Sequence, residues 1–276
     1  MKYDFNISVF YKNSNLGVNM KYFVSSDIHG FYDEWQKSLK ENGFDINNPC
    51  HKIIVCGDLF DRGHQPKQII DFILSHKDKV VLIRGNHEDL MQAMIDRNYN
   101  MRHDLANGTA QTIVDLYPEW LITENNLKKI AKVTGLQEVL DMCVDYFETK
   151  KFVFVHGWIP INDEELKYDK NWRNASKRQW EKARWQNPIL MCKNKIFENG
   201  KTIVCGHWHC SAFWNLIDPN KYDEFGNNEK FEPFISKQVI GLDTCTVHTK
   251  KVNTIVIDTV QELKQSKEQR EKELKV

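Results

Sequence analysis

Five short apolar runs in this chain each end abruptly in a cluster of Asp, His, Asn and Gly, and that repetition restricts the fold more than any other feature. Tyr22 to Ser26 runs into Asp27-Ile28-His29-Gly30, Lys52 to Cys56 into Gly57-Asp58, and Val80 to Ile83 into Arg84-Gly85-Asn86-His87-Glu88. Phe152 to Val155 runs into His156-Gly157, and Thr202 to Cys205 into Gly206-His207-Trp208-His209. Each run has the length and composition of a buried strand. Open α/β sheets gather ligands at the carboxyl ends of their strands, so five polar endings there predict one shared crevice. Chemistry rather than packing explains why the polar residues sit at those ends.

Between the first three runs the periodicity turns helical. Phe31, Trp35 and Leu39 recur at helical spacing, and Pro66 opens an amphipathic stretch carrying Ile69, Ile70 and Ile73. The opening therefore reads β-α-β-α-β, and right-handed crossovers make it a parallel sheet with helices on its face. A helical insertion is expected over about 90–147, broken at Asn107-Gly108 and at Pro118. A Trp-rich stretch follows through Trp158, Trp172, Trp180 and Trp185. The segment 210–237 is too long for a plain connection and predicts a lid loop that shapes the substrate site. Val239 to Leu242 and Thr254 to Ile257 read as closing strands, which completes one domain over 21–260. Residues 1–20 form an N-terminal extension, and the near repeat of Met1-Lys2-Tyr3 in Met20-Lys21-Tyr22 raises Met20 as the native start. The tail 261–276 is charged, with Glu268/Lys272 and Glu271/Lys275 at i,i+4, and reads as a solvated helix.

With 276 residues and 41% hydrophobic content, the chain can bury a core for one large domain with insertions. Lys plus Arg equals Asp plus Glu at 38 each, so no basic field points to nucleic acid or an anionic membrane. The start lacks the apolar core of a signal peptide and no stretch approaches the roughly 20 apolar residues of a membrane span, so a cytoplasmic location is expected. Seven cysteines, odd in number and without a Cys-x-x-Cys pair, argue against a disulfide framework. Cys56 and Cys205 read as small buried fillers rather than thiolate ligands.

The endings carry a metal-ligand composition. Successive side chains on a strand alternate, so Asp27 and His29 at i,i+2 can point the same way into one coordination sphere, and His207 and His209 repeat that geometry. Asp58 follows a Gly that admits close backbone approach, and its carboxylate can bridge two cations, which an imidazole cannot. Asn86 adds a neutral carbonyl oxygen and His156 another imidazole. Seven mixed nitrogen and oxygen donors suit manganese first, or iron or zinc, rather than calcium. Two such cations roughly 3.5–4 Å apart would polarise a phosphoryl group and generate a hydroxide nucleophile at neutral pH. A single Asp-x-His or a lone His more often means a core or surface residue, but five endings in order do not arise that way.

These residues together give the chain its resemblance to the calcineurin-like metallophosphoesterase superfamily, over roughly Lys21 to Asp258. Asp27-Ile28-His29-Gly30, Gly57-Asp58-Leu59-Phe60-Asp61-Arg62-Gly63 and Gly85-Asn86-His87-Glu88 resemble the branch of serine/threonine protein phosphatases and symmetrical diadenosine tetraphosphatases. Gly241-Leu242-Asp243-Thr244 is similar to that branch's late Asp-Thr-Gly segment, with Cys245 in place of the second Gly. The resemblance implies an α/β fold, a layered α-β-β-α sandwich with a helical insertion. It implies Asp27, His29 and Asp58 on one metal, and Asp58, Asn86, His156 and His207 on the other. His209 departs from the protein phosphatase pattern and matches the Gly-His-x-His of phosphodiesterases and nucleases, where the second His joins the first metal.

Given those sets, His87 follows a ligand but belongs to neither metal, so it is the general acid that protonates the leaving oxygen. Asp61 would orient it and keep it protonated; the bland reading of Asp61 is a turn-capping residue. Arg62 and Arg84 flank motifs as phosphoryl clamps, against surface ion pairing, and Arg184 is a third clamp, against a Trp-stacked structural role. His51, His64, His76, His103 and His248 carry no motif and read as surface or loop residues. The expected function is phosphomonoester hydrolysis on a phosphorylated protein or small molecule. Cleavage of a dinucleoside polyphosphate comes second, since six of eight Trp lie between Trp158 and Trp214 and could stack a base. Phosphodiester cleavage, supported by His209, is third. A non-catalytic scaffold predicts lost ligands or a lost acid, and none is lost.

Overall fold

The computed structural model describes residues 20–119, 126–162 and 164–258. The expectations for the N-terminal extension, the start at Met1 or Met20 and the charged tail lie outside the described residues, apart from Met20 itself, which is buried.

Strands β1 (Lys21–Ser25), β2 (His51–Cys56) and β3 (Val80–Ile83) pair in parallel, joined by helices Tyr32–Glu41 and Pro66–Ser75. The predicted β-α-β-α-β opening is therefore present. A second sheet is built later in the chain from β4 (Phe147–Glu148), β5 (Phe152–Phe154), β8 (Thr202–Cys205), β9 (Phe234–Ile235) and β10 (Val239–Gly241), in the order β4-β5-β8-β10-β9. Its centre, β5-β8-β10, is again parallel. A small hairpin, β6 (Ile161–Asn162) with β7 (Lys167–Tyr168), stands apart. The last strand, β11 (Thr254–Asp258), returns antiparallel to β1 on its free side, giving the first sheet the order β11-β1-β2-β3.

Alternation along the strands sorts the core into layers. Tyr22 and Val24 of β1, Ile54 and Cys56 of β2, Phe154 of β5, Val204 of β8 and Ile240 of β10 pack together between the sheets. The intervening residues Phe23, Ile53, Val55 and Leu82 instead pack on the helices of the first half, through Trp35, Ile69, Ile70 and Met91. Val153, Ile203, Cys205 and Val239 face the other way, onto Trp172, Trp180, Met191 and Phe213. Two sheets face to face with helices outside each make the expected α-β-β-α sandwich.

The helical stretch begins earlier than expected, at Asn86 inside the third motif, with helix Asn86–Arg97. Helices Arg102–Asn107, Thr109–Leu116, Leu127–Val133 and Leu136–Met142 follow, and Gly108 makes the predicted break with φ of 86°. Segment 210–237 differs from the expected loop. It opens with helix Cys210–Ile217, whose Cys210, Ala212, Phe213 and Trp214 are buried, and it carries β9 near its end. No helix among the described residues is long and apolar enough to cross a membrane.

Candidate metal centre

The five endings do converge, but by a route other than strand alternation. β1 stops at Ser25, and Asp27 and His29 lie beyond it with φ of 52° and 48°. Asp58 (55°), Asp61 (71°), Arg62 (67°) and His207 (64°) share this left-handed conformation, which L-residues avoid unless their surroundings impose it. The surroundings are visible. Loops 27–30 and 57–63 zip together through Asp27 N to Gly57 O (3.1 Å), His29 N to Asp58 O (2.9 Å), Gly30 N to Leu59 O (2.9 Å) and Gly63 N to His29 O (2.8 Å). A side chain at Gly57, itself at φ of 83°, would put its Cβ 2.5 Å from His156 Nδ1. One at Gly206 would collide with Ser26 Oγ and Asp27 Oδ2.

Glu88 holds the third motif to the second, a role that its sequence neighbourhood did not reveal. Its buried carboxylate accepts from Gly85 N (2.8 Å), Asp58 N (2.9 Å) and Leu59 N (2.8 Å). Gly85 is the residue before the helix and Glu88 the third residue within it, a capping spacing that could have marked this contact. The same helix end donates His87 N to Asp58 Oδ1 (3.1 Å), so the Asp58 carboxylate lies at the positive end of a helix dipole.

Two groups of donors meet at Asp58. His29, Asp58 and His87 form one and Asp58, His156 and His207 the other, with the ligand atoms of each group within 4.8 Å of one another. Asp58 Oδ2 lies 3.6 Å from His29 Nε2 and Asp58 Oδ1 lies 3.3 Å from His156 Nε2. The rings are aimed. His29 Nδ1 donates to Phe60 O (3.0 Å) and His156 Nδ1 to Cys56 O (2.8 Å), which leaves both Nε2 lone pairs turned inward. His207 hydrogen-bonds the Trp185 backbone. Burial first, and neighbouring imidazoles next, hold His29 and His156 far below the ordinary imidazole pKa and lower His207 to about 4, so all three stay neutral.

His156 Nε2 faces Asn86 Oδ1 at 2.7 Å. With the ring proton on Nδ1, that contact sets one lone pair against another, an arrangement that a shared cation relieves. The residues therefore fit divalent metal ions, and Asn86 lies against the second group through His156. Burial, with repulsion from Asp243 and Asp58, pushes Asp27 well above the ordinary carboxylate pKa, and burial raises Asp58 to about 7. Both await positive charge.

Asp27 stands beside the two groups rather than inside them, accepting from His207 N (3.1 Å) and from Ser26 Oγ. His209 lies outside both. It caps helix Cys210–Ile217, its Nε2 is 3.9 Å from Asp243 Oδ2, and its ring packs edge-on against Phe225. Asp243 is a buried acid beside Asp27 that the reading of motifs passed over as a family likeness; its type and burial were the only signal.

His87 and Asp61 form a tight pair, Nδ1 to Oδ2 at 2.6 Å. Thr109 Oγ1 donates to Asp61 Oδ2 and Thr112 Oγ1 to Asp61 Oδ1, both at 2.9 Å. Both threonines belong to helix Thr109–Leu116 of the insertion, and no motif singles them out. Burial favours a neutral His87, but the Asp58 and Asp61 carboxylates outweigh it and raise its pKa. Arg62 is exposed, with Nη2 3.2 Å from His87 Nε2 and Nη1 3.4 Å from His29 Nε2.

The other two arginines are engaged by carboxylates and backbone oxygens. Arg84 donates Nε to Asp89 Oδ1 (2.7 Å), Nη1 to Leu140 O (3.1 Å) and Nη2 to Glu88 O (3.3 Å). Arg184 is buried and donates Nη1 to Asp89 Oδ2 (2.8 Å) and Nη2 to Asp145 Oδ1. Asp89 thus ties both guanidinium groups into a brace between the insertion and the second half, a structural engagement that stands beside the expectation that they clamp phosphate. His51 also departs from expectation, being buried at the head of β2 against Phe23. Cys56 and Cys205 are buried, and burial pushes their thiols well up, in keeping with filler roles.

Comparison with known proteins agrees with this geometry. The chain is 36% identical over 101 residues to the asymmetrical bis(5'-nucleosyl)-tetraphosphatase PrpE of Anoxybacillus flavithermus, covering 33% of this chain and 41% of that protein. It is 36% identical over 67 residues to the symmetrical bis(5'-nucleosyl)-tetraphosphatase of Buchnera aphidicola, covering 24% and 23% respectively. The chain thus spans less than half the length of these curated relatives. A solved structure described as a putative diadenosine tetraphosphatase aligns over 87% of this chain and 90% of its own, with 14% identity and a TM-score of 0.47. The family model for calcineurin-like phosphoesterases matches residues 20–211, more than half of the sequence. A chain whose motifs close around a shared buried carboxylate, and whose sequence matches that model over this length, belongs to the calcineurin-like phosphoesterase family.

Proposed function

We propose that this protein is a metal-dependent phosphoester hydrolase, acting on phosphomonoesters, in which His87 protonates the leaving oxygen. The observation that carries the proposal is the Asp61–His87 pair at 2.6 Å, set beside the carboxylate that both donor groups share. Two divalent cations, manganese foremost with iron or zinc as alternatives, would be held by Asp27, His29 and Asp58 and by Asp58, Asn86, His156 and His207, and would supply phosphoryl polarisation and an activated water. His209, which faces Asp243, would join the first set, and phosphodiester cleavage is the third reading.

The chain's own residues divide the remaining work. Arg62 reaches over the centre from an exposed position and binds phosphoryl oxygens through its planar fork. His87 carries the transferable proton at Nε2. Asp61 accepts from Nδ1, fixing the ring's orientation and favouring its protonated state before the leaving group departs. Thr109 and Thr112 keep both Asp61 oxygens occupied, so the carboxylate cannot rotate away. Hydrolysis of a dinucleoside polyphosphate is the second reading, favoured by the names of the matched relatives.

A manganese-supplemented panel of p-nitrophenyl phosphate, bis-p-nitrophenyl phosphate, a phosphothreonine peptide and diadenosine tetraphosphate tests the proposal. Turnover of the first and third substrates is expected, lost in His87→Asn; turnover of diadenosine tetraphosphate alone selects the second reading. Absence of turnover on all four with metal bound, or full activity in His87→Asn, refutes the assignment.

A further inference from the structure

We propose that Trp185 is a stacking platform for a nucleobase, so that the centre takes nucleoside polyphosphates by their base as well as by their phosphates. The inference rests on reading the centre as a phosphoester hydrolase and deepens the second of its substrate classes.

Trp185 is set apart from the other tryptophans described. Trp35, Trp158, Trp172, Trp180 and Trp214 are buried and Trp208, also beside His207, is half-buried, whereas Trp185 is 52% exposed. An indole left in water forgoes the burial that the others obtain, so its position calls for a reason. Its place supplies one. The ring stands edge-on to the His207 ring, with centroids 6.0 Å apart and planes at 87°, which sets an exposed indole at the rim of the second donor group.

The platform is also rigid. Trp185 ends helix Lys177–Arg184 and donates its backbone N–H to Lys182 O (3.0 Å), while His207 hydrogen-bonds its backbone. The preceding residues are pinned from two sides. Trp158 N donates to Ala183 O (3.0 Å), and the chain there runs so close to Gly157 that a Cβ on Gly157 would lie 2.6 Å from both Ala183 O and Arg184 O. Arg184 itself is held by Asp89 and Asp145. A flat aromatic face fixed to the ending that carries His156 loses little freedom when a second ring stacks on it, which is what makes such a surface effective in recognition.

The chemistry across the mouth completes the ligand. Arg62 presents a guanidinium beside His87 and His29, suited to phosphoryl oxygens. A ligand spanning Arg62 and Trp185 needs phosphate at one end and a planar ring at the other. A phosphoserine or phosphothreonine side chain has no such ring; a nucleoside polyphosphate has one, a ribose away from its phosphates.

The test compares wild type, Trp185→Ala and Trp185→Tyr, each loaded with manganese. KM is measured for diadenosine tetraphosphate, inorganic tripolyphosphate and phenyl phosphate, and the Kd of a methylene-bridged, non-hydrolysable ATP analogue is measured by calorimetry. Loss of one stacked base is expected to weaken analogue binding about tenfold in Trp185→Ala, and to raise the KM ratio of diadenosine tetraphosphate to tripolyphosphate about tenfold, with Trp185→Tyr close to wild type. An unchanged Kd in Trp185→Ala overturns the platform, and a KM effect confined to phenyl phosphate overturns its assignment to a nucleobase. Should the wild type hydrolyse no phosphoester, the hydrolase reading fails while the calorimetric comparison still decides the role of Trp185.

Discussion

The two sheets bring different kinds of residue to the edge they share. The first contributes Asp58, the carboxylate that both donor groups share, and Asp27 beside them, with His29, the His87–Asp61 pair and Arg62 close by. Nearly all of these are buried and cross-braced by Glu88, Thr109, Thr112 and the zipped loops. The second sheet contributes His156 and His207, and around the latter its surroundings loosen into exposed aromatics, Trp185 at His207 and Phe225 at His209. Reaction machinery must be held to a fraction of an ångström, whereas recognition of different substrates calls for a rim that can vary. On the proposed reading of the centre, the first sheet serves the former requirement and the second the latter.

That division can be broken most decisively at the first sheet. Asp58→Asn should abolish bound manganese and nearly all turnover, while His87→Asn keeps the metal and loses roughly 10²–10⁴-fold in kcat. Elemental analysis beside steady-state kinetics separates them, and equal metal loss in both would erase the distinction between ligand and acid. Next comes the contrast between arginines. Arg62→Ala should lower kcat/KM on the order of 10²–10³-fold. Arg84→Ala should instead cost about 1–3 kcal/mol of stability through its lost hydrogen bonds to Asp89, Leu140 O and Glu88 O, read by urea denaturation.

Thr112→Val sharpens the role of the brace. It should lower kcat about tenfold with KM little changed, and Thr112→Ser should restore it, since only the hydroxyl touches Asp61. The smallest effect concerns pH. Without metal, Asp58 is raised from 3.8 to about 7, so the folded state keeps a proton that the unfolded chain has released. The folded form then binds more protons, its stability falls as pH rises through about 4 to 7, and manganese should remove that loss. The rise in Tm on adding manganese should therefore grow across this window, reaching on the order of 5–10 °C at saturation. A shift independent of pH would show that Asp58 is not the group whose proton the metal displaces.

Much of the architecture was legible because apolar runs, helical spacing and polar endings are local properties. Val80–Ile83 and Thr202–Cys205 coincide with their predicted runs, and Pro66 opens its helix as expected. Strands of two residues, such as Phe147–Glu148 and Ile161–Asn162, are too short to show any period. At the centre, residue identities were readable but the conformation was not: Asp27, His29 and His207 reach their places through left-handed backbone imposed by loops distant in sequence. The same blindness hid Thr109 and Thr112, whose partner lies about fifty positions away, and made Arg84 look free when Asp89, five residues on, already holds it. A residue's type announces what chemistry it can perform; which neighbour has already claimed it is a tertiary fact.

The antiparallel return of β11 to β1 has a bearing on how the protein is made. β1 is among the earliest described segments to leave the ribosome, yet one of its two sheet neighbours is the last described strand, with Lys21 opposite Asp258. Ser25 Oγ meets Thr254 Oγ1 at 2.9 Å, and Thr246 Oγ1 donates to the backbone oxygen of Asp27 at 2.7 Å, so the first motif is also fastened by late residues. Such a closure has high contact order, and until it forms β1 presents an unpaired edge. The nascent chain must keep that edge from other strands until β11 has emerged, and premature termination before β11 would release a product with its first motif unfastened and an aggregation-prone border exposed.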